Sequence, residues 1–216
     1  MDGDVLSFAL LAISSVLIIV NPLGATLFYV SLTSGLDPVT RAGIVKDSCR
    51  FALLILLFFA VLGTWILQLF GISLEAFRIA GGLLLFGIGM EMAYAKTSRT
   101  KMTATEKYES QDMEDIAIMP IAMPMIAGPG AITTCIVLMN EALTLTPFAI
   151  FVVILSVILS IGITYYMMRN SDYIMSKIGQ REYRAINRLM GMLLIAIAVQ
   201  FIINGIWMAF PALKGG

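Results

Sequence analysis

Six long apolar stretches, separated by shorter polar or basic ones, organise this chain. They run over about Val5 to Ser31, Ser48 to Phe70, Ala76 to Ala95, Ile116 to Asn140, Pro147 to Met168 and Leu189 to Phe210. Each supplies roughly the 20 residues an apolar α-helix needs to cross bilayer hydrocarbon. Their Leu, Ile, Ala, Met and Gly content lacks the alternation of barrel strands. The pattern predicts an all-α membrane protein with six transmembrane helices. Two stretches are interrupted near the middle, by Asn21-Pro22-Leu23-Gly24-Ala25 in the first and Gly128-Pro129-Gly130-Ala131 in the fourth. Proline removes an amide donor and glycine loosens the backbone, so helices 1 and 4 are expected to be discontinuous, with unpaired N–H and C=O groups at mid-membrane depth. Such groups persist only inside protein or beside a polar cavity, and a matched pair in two halves of a chain marks a transporter site. A simple kink is the competing reading of either break alone.

The longest polar stretch, 96–115, divides the chain into repeat 1 (1–95, helices 1–3), a charged cytoplasmic linker (96–115) and repeat 2 (116–216, helices 4–6). Three spans per half is odd, so the halves are expected to be inverted repeats. Arg78-Ile-Ala-Gly81-Gly82-Leu83-Leu84 matches Arg188-Leu-Met-Gly191-Met192-Leu193-Leu194 at a constant offset of 110 residues. Pro22 to Ala25 matches Pro129 to Ala131 with one residue deleted.

Composition agrees: 59% hydrophobic and 13% charged residues are too apolar for a soluble domain of 216 residues. The loops after segments one, three and five hold Arg41, Lys46 and Arg50, then Lys96, Arg99, Lys101 and Lys107, then Arg169, Lys177, Arg181, Arg184 and Arg188, twelve of the 14 basic residues. Only Arg78 and Lys214 lie on the other side, so these loops are expected in the cytoplasm and both termini outside, in a multi-pass protein of the cytoplasmic membrane. The acidic start Met1-Asp2-Gly3-Asp4 and the long apolar run argue for a mature first helix rather than a cleaved signal. No basic patch points to nucleic acid. Cys49 and Cys135 have neither redox nor metal-ligand spacing, and no Walker loop, Gly-x-Ser-x-Gly or His-Glu-x-x-His motif occurs. Neither an enzyme nor a cofactor is expected, and an ion gradient (H+ or Na+) or downhill flow is left as the energy source.

The breaks suit a zwitterion. Amides at Gly24, Ala25 and Thr26, and at Gly130, Ala131 and Ile132, can hold a carboxylate; carbonyls around Val20, Asn21, Ala127 and Gly128 can hold an ammonium group. Ser7, Ser14 and Asn21 recur every seven residues, Thr26 and Thr33 follow the break, and Thr133 and Asn140 repeat the spacing. Inside spans, Glu91 reads either as a proton carrier or as an interfacial partner of Lys96 and Arg99. Gln200 and Asn204, one turn apart, face the cavity or a neighbouring helix. Asp47 and Arg50 read as capping and topology residues. Ser156, Ser160 and Thr164, with Gly81, Gly82, Gly87 and Gly89, read as close helix packing.

Asn-Pro-Leu-Gly-Ala, Pro124-Met-Ile-Ala-Gly-Pro-Gly-Ala-Ile132, six spans and the chain length together resemble the MarC family of membrane proteins, which includes SnatA-type small neutral amino acid transporters. Family members more often carry Asp-Pro-x-Gly in the first motif; Asn21-Pro22 removes a carboxylate from the implied site, which puts coupling through that position in doubt. The resemblance implies glycine, alanine or similar solutes. The reading is an alternating-access carrier in the lipid bilayer, with the solute between the breaks of helices 1 and 4 and an oligomer allowed. Export of another small solute or drug, and a non-transporting membrane scaffold, are the alternatives.

Overall fold

A computed structural model describes residues 2–33, 35–94, 117–177 and 180–211. The expected linker 96–115 therefore lies outside the described residues, as do Lys96, Arg99, Lys101, Lys107 and Lys214. The described chain is helical: α1 Asp2–Val20, α2 Pro22–Thr33, α3 Pro38–Leu69, α4 Leu74–Ala93, a π-helical segment Ala117–Ile126, α5 Pro129–Leu145, α6 Pro147–Arg169, α7 Ser171–Lys177 and α8 Gln180–Ala209. Five stretches are long and apolar enough to cross a membrane: Val5–Val30, Pro38–Leu69, Leu74–Ala93, Pro147–Arg169 and Arg188–Ala209. The sixth expected span is different. It consists of the π-helical segment and the shorter apolar helix α5, separated at Ala127 and Gly128.

Local chemistry explains where helices start. Asp37 caps α3 by accepting from the Val39 and Thr40 amides at 3.0 and 3.1 Å, with Pro38 in the first turn. Thr40 and these amides hold the exposed Asp37 carboxyl below the usual carboxylate range. The second span thus begins at Pro38, ten residues before the expected Ser48, and Asp47 and Arg50 sit inside α3 rather than capping it. Ser73 and Thr146 cap α4 and α6 in the same way. In the fourth span, Pro120 and Pro124 fall in the π-helical segment, and the Ala127 amide reaches back five residues to Ala122 O at 2.8 Å. The wider π turn is one way to accommodate prolines that supply no amide donor.

The ends of the bundle differ. Asp2, Leu69, Leu74, Leu145, Pro147 and Ala209 mark helix ends at the terminal face; Thr33, Pro38, Ala93, Arg169 and Gln180 mark those at the opposite, basic face. Two helices form the seam of the bundle. The antiparallel α4 and α8 lie almost at backbone contact: a Cβ on Gly191 would stand 2.6 Å from Ala93 N and 2.8 Å from Gly89 O, and one on Gly82 would stand 2.9 Å from Ala198 O. Gly81, Gly82 and Gly89 are packing glycines as expected; Gly87 is not, because it is exposed and has open space around it.

Helix contacts also follow a pattern under exchange of the two halves. α6 packs on α1 and α2, and α3 packs on α5 and the π-helical segment. With α1–α2 taken as one span and the π-helical segment with α5 as another, α4 on the fourth span answers α8 on the first, and α3 with α6, α4 with α8, and the first span with the fourth map onto themselves; the single half-helices do not all correspond, since α4 meets α5 whereas α8 meets α1.

Candidate functional site

Asn21 separates α1 from α2 with φ 49, in the left-handed region. Among non-glycine residues asparagine tolerates this best, because its short amide hydrogen-bonds locally. Its amide N donates to Leu17 O at 3.1 Å and its carbonyl accepts from Ala25 N at 2.9 Å, so helical bonding runs up to the residue and away from it. Its Oδ1 accepts from Gly24 N at 3.1 Å, and its Nδ2 lies 3.9 Å from Met92 Sδ. A Cβ on Gly24 would collide with this side chain, which gives that glycine a packing reason. The Gly24 and Ala25 amides, expected to receive a carboxylate, are thus already bonded to Asn21. Thr26 is buried and donates to Pro22 O at 2.7 Å.

The second break is less completely bonded. Gly128 begins α5 without a side-chain cap, and Pro129 occupies the first turn. Ile132 N bonds Gly128 O at 3.0 Å, which leaves the amides of Gly130 and Ala131 at the helix start without an intrahelical acceptor. Thr133 is buried and donates to Pro129 O at 2.9 Å. Gly130 lies against Leu85, and Gly81 against Thr133.

The two breaks face each other across an apolar junction. α1 touches α5 and α2 touches the π-helical segment; Val20, Ala25, Ile126, Ala127 and Ala131 belong to one buried cluster. A cavity of about 320 Å³ lies on the other flank of the second break, where Pro129, Ile132 and Thr133 meet Phe59 and Gly63 of α3 and Phe77 and Leu84 of α4. Its walls are almost entirely apolar.

Other expected site residues are scattered. Ser14 is exposed and donates to Leu10 O at 2.6 Å within its own helix. Gln200 Nε2 donates to Asn204 Oδ1 at 2.9 Å, one turn along the same helix. Glu91 is exposed, and its suggested partners lie outside the described residues. Asn140 is half-buried in α5. Cys49 and Cys135 are buried thiols, as expected of small apolar residues.

Sequence reasoning missed two charge pairs. Arg78 of α4 bonds Glu141 of α5 at 2.8 Å near the terminal face. At the basic face, Arg41 binds both oxygens of Asp172 at 3.1 and 2.9 Å, and its guanidinium stacks 5.7 Å from the Tyr29 ring centre. The Tyr29 hydroxyl donates to Arg41 O at 3.1 Å. Each pair joins residues 63 or 131 apart in sequence, a separation no local pattern reveals. Ser160 was read as packing only; its hydroxyl is buried without a partner in α6, the helix that spans both α1 and α2.

Known sequences give the family. The description "MarC family integral membrane protein" matches residues 6–210. A UPF0056 membrane protein of Methanocaldococcus jannaschii, MJ1677, is 42% identical over 93% of this chain and 97% of its own length. YvbG of Bacillus subtilis is 33% identical over 96% and 98%, and YhcE of Escherichia coli is 35% identical over 90% of each chain. No solved structure matches significantly. With a match along nearly its whole length and relatives of the same size, the chain belongs to the MarC family of integral membrane proteins.

Proposed function

We propose that this chain is a secondary transporter of small neutral amino acids, glycine, alanine and serine first, working by alternating access between two inverted repeats. The observation that carries the reading is the pair of breaks at Asn21 and at Ala127–Gly128, each followed by a half-helix and set against the other. Contacts between whole spans that survive exchange of the two halves are consistent with the repeat, since a two-fold axis in the membrane plane requires them. Uncapped amides at Gly130 and Ala131 favour a carboxylate beside the second break. The names of the relatives say only membrane protein, so the solute rests on chemistry and on the resemblance to SnatA-type carriers. Export of another small apolar solute or a drug has one observation in its favour, the apolar cavity beside Phe59 and Phe77.

Proteoliposomes separate these readings. Under an imposed H+ or Na+ gradient, labelled glycine, alanine and serine should accumulate saturably, and leucine and phenylalanine should fail to compete. Competition by bulky hydrophobic compounds with no uptake of alanine would transfer the protein to the second reading. Uptake equal to empty liposomes for every solute and gradient would leave the scaffold.

The orientation has its own test, from the basic asymmetry of the loops. Single cysteines at Lys101 and Gly179 should resist an impermeant thiol reagent in intact cells, and one at Leu143, exposed near the terminal face, should react. Labelling at Lys101 in sealed cells would reverse the proposed placement of both termini outside.

A further inference from the structure

Arg78 is the most deeply buried charge in the described bundle, 3% exposed and one turn inside α4. Its guanidinium makes one hydrogen bond, from Nη2 to Glu141 Oε1, and its Nε is buried without a partner. Glu141 keeps a third of its side chain in contact with the surroundings. The pair at the basic face shares the unpartnered buried Nε, on Arg41, but its guanidinium is otherwise better used. There Arg41 engages both Asp172 oxygens through two nitrogens, rests on Tyr29, and Asp172 is largely exposed. A five-donor cation buried for one bond is under-used as a structural clasp. Charges inside spans are expensive enough that a functional role is the default expectation.

The surroundings lead from this pair toward the second break. On the same face of α4, Gly81 follows and lies on Thr133, then Leu85 lies on Gly130. Phe77, beside Arg78 in sequence, and Thr133 both line the apolar cavity. Glu141 is about 18 Å along α5 from Pro129, so the pair stands at the mouth of the α4–α5 seam and the break at its inner end.

We infer that Arg78 and Glu141 are the recognition pair that admits a zwitterion at the terminal face. The guanidinium takes the solute's carboxylate and Glu141 takes its ammonium group. The inference rests on the carrier reading above and adds the two side chains that select for it. A zwitterion is the electrical complement of an ion pair: inserted between the partners, it gives each charge an opposite neighbour and buries no net charge. A solute with only one charge neutralises one partner and strands the other. The pair therefore discriminates by charge arrangement.

Equilibrium binding to the purified full chain tests this with three probes: alanine, alaninamide, which lacks the anion, and propionate, which lacks the cation. Wild-type protein should bind alanine at least tenfold more tightly than either of the others, since a lost charge-assisted hydrogen bond is worth about that factor or more. In Glu141→Gln the amide oxygen still accepts from Arg78, so the fold is kept; alanine should weaken at least tenfold and propionate should gain, because the guanidinium is no longer neutralised. In Arg78→Gln the order should reverse, with alaninamide gaining and propionate lost. Crossed selectivity of this kind cannot come from a clasp. If Arg78→Gln does not fold, the propionate gain in Glu141→Gln decides alone. Alanine binding in the wild type with probe ratios unmoved in the variants overturns the pair and leaves the carrier; no binding of any probe by the wild type overturns both.

Discussion

Gly191→Val should lose most of the native fold, the largest stability effect expected of any single substitution in this chain. The added Cβ would sit 2.6 Å from Ala93 N and 2.8 Å from Gly89 O, against backbone rather than the flexible end of a side chain. Neither helix can yield locally, so α4 and α8 must separate along their length. Ordinary overpacking costs about 1–3 kcal/mol; a branched side chain forced between two backbones should reach or exceed the upper end of that range. In a membrane the loss is not softened, because close van der Waals approach of small residues is a main force between helices. Gly87→Val is the control. That residue is exposed on the partner helix α4 with nothing near its Cβ position, and the change should stay within about 0.5 kcal/mol. Thermal unfolding in a mild detergent compares the two, and equal melting temperatures would mean that α4 and α8 are not in near backbone contact at Gly191.

This contrast also shows where sequence stops being informative. All four glycines of α4 looked equivalent as small residues in an apolar helix, but only helix register decides which face α8, and Gly87 points away. Five of the six expected spans were legible because hydrocarbon thickness imposes a length, and the prolines and glycines at which helix boundaries fall because those residues act locally. What depends on pairs distant in sequence was not. Arg78 and Glu141 entered only as a topology charge and an unremarked acid, since nothing along the chain says that they meet. The Asn21 side chain shows a subtler limit. Its amide oxygen takes the Gly24 N–H that the break seemed to leave open, so a motif read as a vacant cradle is, on the α2 side, a capped helix start. The second break has glycine where the first has asparagine, and no side chain there can do the same.

Asn21 therefore carries the last expectation, which separates backbone from side chain. Asn21→Val places a β-branched residue at φ 49 and removes the cap on Gly24. Left-handed backbone at a residue that resists it costs about 1–3 kcal/mol, and a lost cap about 1 kcal/mol, so the variant should lose about 2–4 kcal/mol. Much of that can be relieved if residue 21 turns helical, which would join α1 to α2 and redirect α2. Tyr29 would then leave Arg41, and under the proposed carrier function amino acid uptake by the folded fraction should fall at least tenfold. Asn21→Gly adopts the same backbone without strain and gives up only the side-chain bond, a few tenths of a kcal/mol at a cap. Its uptake should stay within about threefold of wild type. Measured side by side in proteoliposomes, a glycine variant as inactive as the valine one would show that the Asn21 amide itself handles the solute, and the interrupted backbone would no longer suffice as the reason for the break.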